Sequence, residues 1–138
     1  MASDGGAHGR TRVAVAGVAL SDCGRVDDAT SYALHAQAAR RALADAGLDR
    51  RVVDGFASAG LGTLAPVEVA EYLGLRPTWV DSTSVGGSTW EVMAAHAADA
   101  IAAGHARAVL LVYELLGGLV RLAHRGHVRL GLHLEVEG

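Results

Sequence analysis

The sequence predicts an α/β fold in which helices cover a mostly parallel sheet. Three observations predict it. Short apolar runs at 13–20, 52–60 and 108–113 read as strands, the first and last nearly continuous, as suits strands covered on both faces. Between them lie alanine-rich segments whose apolar residues recur at helical spacing. Glycine, proline or capping residues stand at the ends of these segments, and strands alternating with helices are the pattern of a parallel sheet.

The elements follow in order. Residues 1–10, MASDGGAHGR, read as a disordered leader. RVAVAGVAL is the first strand. Arg10 and Arg12 before it imitate a signal peptide, but no small-residue cleavage site follows, and the run is too short to span a membrane. The first helix covers about 29–46, with Asp28 as N-cap and Gly47 at its end. Tyr32, Ala36, Ala39, Leu43 and Ala46 form its apolar stripe, and His35, Gln37, Arg41 and Asp45 fall mostly on other sides. VVDGFASAG is a second strand, APVEVAEYLGL a short helix with Pro66 in its first turn, and TWVDSTS a third strand. A helix follows at about 88–103, with Trp90, Met93, Ala97 and Ile101 on one stripe. It is small-sided nearly all round, so neighbours can approach it on several faces. AVLLVY is a further buried strand. After it, ELLGGLVRLAHRG is weakly helical, and 128–136 alternates as a period-two strand that offers an additional sheet edge.

Composition bounds the chemistry. The chain has 138 residues, one domain's worth, and 51% are hydrophobic. Twelve basic residues against 15 acidic give a net charge of −3 and no basic stripe, so nucleic acid is not an expected partner. Every basic residue is arginine. With no lysine, the chain can form neither a lysine Schiff base nor a P-loop. The single cysteine, Cys23, excludes an internal disulfide. A cytoplasmic location is the expectation. Gly60 and Gly62 in SAGLGT are half of a phosphate loop with incomplete spacing, and a flexible loop is the simpler reading.

The chemically suggestive stretch is VGGST, where a strand breaks into a helix. Gly86, Gly87, Ser88 and Thr89 put backbone amides at a helix N-terminus, where the dipole favours an alkoxide, thiolate or enolate oxygen. Ser88 reads as the helix N-cap rather than a nucleophile. A serine nucleophile needs a base within reach, and His96 lies two turns along the same helix. Asp81 and Glu91 flank the turn with ordinary roles as a strand-end and a first-turn carboxylate.

HAQAARRALADAGLDRRVVDGFASAG and SVGGSTWEVMAAHAADAIAAGHARAVLLVY together resemble the N-terminal part of a thiolase-superfamily protein over about residues 11–113. The subgroup resembled is the sterol-carrier-protein-type thiolases and lipid-transfer-protein relatives, labelled acetyl-CoA acetyltransferases, some of which are retro-aldol enzymes. The resemblance implies a partial thiolase-like fold, the first half of one layered unit, and acyl-CoA as substrate with no cofactor. It places Gly87 at the position of the thiolase nucleophilic cysteine, with Ser88 adjacent. No catalytic residue is therefore assigned, and Gly86, Gly87, Ser88 and Thr89 are expected to line the substrate site. Steroid CoA esters are the substrate class the resemblance suggests.

Residues 114–138 match no motif of that family. They read either as the product of a truncated or frame-shifted coding sequence or as a genuine replacement covering the sheet. Three functional readings result: the N-terminal part of an aldolase-type acyl-CoA enzyme, a non-catalytic thiolase-like binding subunit, or an inactive fragment. A homo-oligomer or a partner subunit is expected. His124, His127 and His133 cluster near the end without a cysteine or a suitably spaced carboxylate, so no metal site is expected.

Overall fold

The computed structural model describes residues 12–22, 28–59, 61–113 and 130–137. The chain runs β1 (Arg12–Leu20), α1 (Ser31–Ala46), β2 (Gly55–Ala59), α2 (Ala65–Tyr72), β3 (Trp79–Asp81), α3 (Thr89–Ala102), β4 (Ala108–Tyr113) and β5 (Leu130–Glu137). One five-stranded sheet has the order β1-β5-β4-β2-β3. β2 is parallel to β3 and β4, and β5 is antiparallel to both β1 and β4. All strands but β5 therefore point the same way.

Two clusters make the core. Phe56, Leu110 and Val112 meet Ala39 and Leu43 of α1 and Val69 and Ala70 of α2 on one face. Ala57, Ala59, Val109 and Leu111 meet Met93, Ala97 and Ile101 of α3 on the other. The alternation explains why AVLLVY carries no polar position: successive side chains enter opposite layers, and both are covered.

Several local expectations change. α1 begins at Ser31, and its cap is Thr30, not Asp28: Thr30 is extended and its Oγ1 accepts the Ala33 N–H at 3.1 Å. Gly47 ends the helix in the left-handed conformation, as expected. His35 is fully buried, not off the core, and its Nδ1 donates to the Ser31 carbonyl at 2.9 Å. α1 packs against β1, β4, β5 and α2 together, so the face it buries is wider than one stripe. The third strand shortens to three residues. α3 is buried along one face only, through Thr89, Met93, Ala97, Ala100 and Ile101.

The first strand is not covered on both faces. β1 is an edge strand, with Val15, Val18 and Leu20 exposed by 54%, 43% and 44%. A register shift lies between Val15 and Gly17. Gly17 is the one buried position of β1, because α1 lies directly over it. A Cβ there would sit 2.4 Å from the Ala42 carbonyl oxygen, so only glycine allows this approach. Polar residues of α1 then bind the same strand end. Asp45 Oδ2 accepts the Val18 N–H at 2.9 Å, and Arg41 donates to the Leu20 carbonyl at 2.9 Å.

The alternating segment is a strand, but it is no edge: β5 lies between β1 and β4. A period of two identifies a strand without naming its neighbours. The leader, Cys23, Gly60 and the weakly helical segment after Tyr113 lie outside the described residues. No helix among the described residues is long and apolar enough to cross a membrane.

Candidate functional site

The C-terminal ends of the parallel strands β2, β3 and β4 lie on one side of the sheet, the side where α/β folds bind ligands. The loop from β3 to α3 leaves from that side. It closes in a single 3-10 turn, Gly86–Ser88, which leads directly into α3. Gly86 takes φ +75°, a conformation that favours glycine.

Gly87 differs. Its φ is not positive, and a Cβ built on it meets nothing within 4 Å. Neither backbone conformation nor crowding among the described residues requires glycine at this point. Gly86, Gly87 and Ser88 are all exposed.

Ser88 occupies the N-cap position, but its side chain makes no capping hydrogen bond. The hydroxyl that is bonded here is its neighbour's, and it bonds the preceding loop rather than capping α3. Thr89 is buried, and its Oγ1 accepts the Val85 N–H at 3.0 Å and donates to the Gly86 carbonyl at 2.8 Å. Ser88 has φ −94° and ψ 11° rather than the extended backbone that aims an N-cap side chain back at the helix. Thr89 thus ties the turn together from inside, while Gly86, Gly87 and Ser88 form its outer surface.

A second feature unites residues that the sequence leaves apart. Asp81, the last residue of β3, accepts a hydrogen bond from His96 Nδ1 at 2.8 Å. The carboxylate can only accept, so Nδ1 carries the proton. The side chains are 23% and 46% exposed respectively, and a pair this open adds little stability. Its effect is positional, since it fastens the mouth of the β3–α3 loop to α3. With Trp79, Asp99, Ala103 and His105 the pair lines an open cleft of about 420 Å³. Fifteen residues separate Asp81 from His96, and only the packing of α3 over β3 joins them. No spacing signal marks the pair.

Among the described residues no group of three or more His, Cys, Asp or Glu is arranged to hold a metal. His124 and His127 lie outside them. Glu91 is exposed in the first turn of α3.

No protein-family model matches the sequence, and no curated protein does either. Solved structures do match. OleA from Xanthomonas campestris superposes with a TM-score of 0.75 at 14% identity, over 90% of this chain and 56% of that one. An Ltp2–ChsH2(DUF35) aldolase gives 0.68 at 25% identity, over 82% of this chain and 31% of that one. A monomeric SCP2-thiolase-like protein type 1 from Mycobacterium smegmatis gives 0.64 at 26% identity, over 79% and 24%. The chain thus spans little more than half of the first and under a third of the other two. Coverage of nine-tenths carries the OleA match past Tyr113.

Proposed function

From a thiolase-like α/β fold whose strand-to-helix turn carries glycine, we propose that this chain is the N-terminal part of an acyl-CoA carbon–carbon bond enzyme of the retro-aldol type. The observation that carries the reading is the turn itself. It has the strand–turn–helix setting of an acyl nucleophile, yet Gly87 stands where the resemblance puts the cysteine, and among the described residues no base is bonded to Ser88. A glycine cannot hold an acyl group, so a covalent condensing cycle has no nucleophile here.

Retro-aldol cleavage needs none. A base removes the proton of a β-hydroxyl, the Cα–Cβ bond breaks, and its electron pair becomes the thioester enolate, which is then protonated. The task open to this chain is stabilising the enolate oxygen with the amides at the positive end of the α3 dipole. The acid and base belong to residues outside the described ones. The 25% identity to an aldolase supports the reaction type; a steroid CoA ester is the finer substrate proposal and rests on the sequence resemblance alone.

The test has two arms. In wild-type chain, a non-cleavable β-hydroxyacyl-CoA analogue is expected to shift the amide resonances of Gly86, Gly87 and Ser88. In a Gly87→Cys variant, incubation with an acyl-CoA is expected to give a thioester adduct on the new cysteine, seen by peptide mass spectrometry. Unmoved amides and an unreactive cysteine would together exclude an acyl-CoA site at the turn.

The second reading is a non-catalytic thiolase-like subunit. Glycine at the position the resemblance gives to the nucleophile is the observation that favours it. Shifted amides without turnover in the presence of a complementing subunit would select it.

A further inference from the structure

Of the three helices, α2 alone turns large apolar side chains well out to solvent. Its buried residues, Ala65, Pro66, Val69 and Ala70, face the core. On the opposite side Leu64, which precedes the first turn, and Tyr72, which ends the helix, are each more than half exposed. No large apolar residue of α1 or α3 reaches that exposure. Leu64, Glu68 and Tyr72 follow at a spacing of four, so they form one row about 12 Å long.

Tyr32 of α1 completes the row. Its hydroxyl donates to Glu68 Oε2 at 2.8 Å. Its ring meets the Tyr72 ring edge-on, with centroids 5.5 Å apart and planes at 60°. These two contacts hold a carboxylate beside two aromatic rings. The bond to Glu68 keeps the Tyr32 hydroxyl above its ordinary pKa range, so it remains the donor. Glu68 Oε1 has no partner among the described residues. Glu68 and Glu71 are the charged residues of α2, and it has no basic one. A carboxylate with an open oxygen and aromatic surface at its side suits a guanidinium, which donates to the oxygen and stacks on the ring.

We infer that this row docks a helix of a partner protein, with an arginine against Glu68 and the tyrosine rings and an apolar residue one turn away against Leu64. The occupant is basic because α2 offers carboxylates and no cation. It is helical because the row offers side chains alone: the main chain of α2 is bonded within the helix. An extended segment would find no main-chain partners here, whereas a helix arrives with its own main chain satisfied. The row lies on the α1 side of the sheet, across from α3 and its turn. Occupancy is therefore independent of an acyl-CoA at the turn.

The probe is a capped alanine-based helical peptide of about 15 residues with leucine and arginine at i, i+4 spacing. It is titrated into the full chain and followed by calorimetry and by amide shifts. The control peptide carries glutamate in place of arginine. The arginine peptide is expected to bind with a Kd below about 1 mM and to shift amides of residues 64–72. The control is expected to bind at least about tenfold more weakly, and Glu68→Gln and Tyr72→Ala are each expected to weaken the arginine peptide by about tenfold. Both positions are exposed, and circular dichroism verifies that the variants stay folded. The isosteric Glu68→Gln carries the test if Tyr72→Ala does not fold. No binding at about 1 mM peptide would overturn the inference. So would equal affinity for the control peptide, unchanged affinity in the folded variants, or shifts that leave α2 untouched. A dimer that Leu64→Asp converts to monomer would also overturn it, because the row would then be a contact between copies.

Discussion

Thr89 and Ser88 are adjacent hydroxyl residues at one helix start, and the structure gives them opposite duties. Thr89 makes two hydrogen bonds within the turn, whereas Ser88 makes none to the helix. Thr89→Ala is expected to cost about 1–2 kcal/mol and Ser88→Ala only a few tenths, read by urea denaturation of each variant against wild type. Equal losses would mean that the Thr89 hydrogen bonds to the loop add no stability beyond what Ser88 provides. The sequence makes both residues candidates but does not rank them. Ranking depends on backbone angles at Ser88 that a capping preference cannot foresee. His96 carries the same lesson: along the helix it is remote from the turn, yet it reaches the end of β3.

At the scale of elements, the join between α1 and β1 rests on a polar row. Asp22 accepts from Gln37 Nε2 at 2.8 Å and from Arg41 Nη2 at 2.9 Å, and Arg41 also holds the end of β1. The Gln37 hydrogen bond first, and then the Arg41 guanidinium, hold the Asp22 carboxyl below its ordinary range. A carboxyl with a depressed folded-state pKa stabilises the fold at pH above its unfolded value. That contribution is lost as pH falls through the folded value. Because the group is exposed, the effect on stability is small. The expected readout is an NMR titration in which the Asp22 carboxyl titrates at lower pH than a free aspartate, and in which Gln37→Leu moves it upward. A midpoint unchanged in that variant would remove Gln37 as the leading cause. The sequence shows Gln37, Arg41 and Asp45 as one polar row of a helix. That the row faces a strand edge rather than solvent depends on Gly17 letting α1 lie close to β1.

For the whole molecule, β5 decides connectivity. It is the strand that joins β1 to β4. A chain ending at residue 113 would leave β4 with an open edge and β1 with no strand partner. The expected outcome is a 1–113 chain that aggregates or loses its cooperative unfolding transition, whereas 1–138 keeps one. A soluble, cooperatively folding 1–113 chain would show that β5 is dispensable. Residues 1–138 alone are expected to give neither thiolysis nor retro-aldol turnover, and to self-associate or depend on a partner through exposed apolar residues such as Leu64, Val67, Tyr72 and Val85. Light scattering and assays over a panel of acyl-CoA esters would check this. A monomer with turnover would refute it.

What the sequence determined by itself is local. The apolar runs gave β2 and β4, the helical spacing gave α1 and α3, and Gly47 marked a helix end, because periodicity and backbone preference act over a few residues. The motif at 81–113 carried the fold resemblance for the same reason: a strand, a glycine turn and a small-sided helix are contiguous. Tertiary structure decided what contiguity cannot encode. It put an alternating strand in the middle of the sheet rather than at its rim, left the apolar β1 at an edge, buried His35, and joined Asp81 to His96. Each depends on which elements become neighbours. Neighbours are chosen by the burial of whole faces at once, and no single segment carries that information.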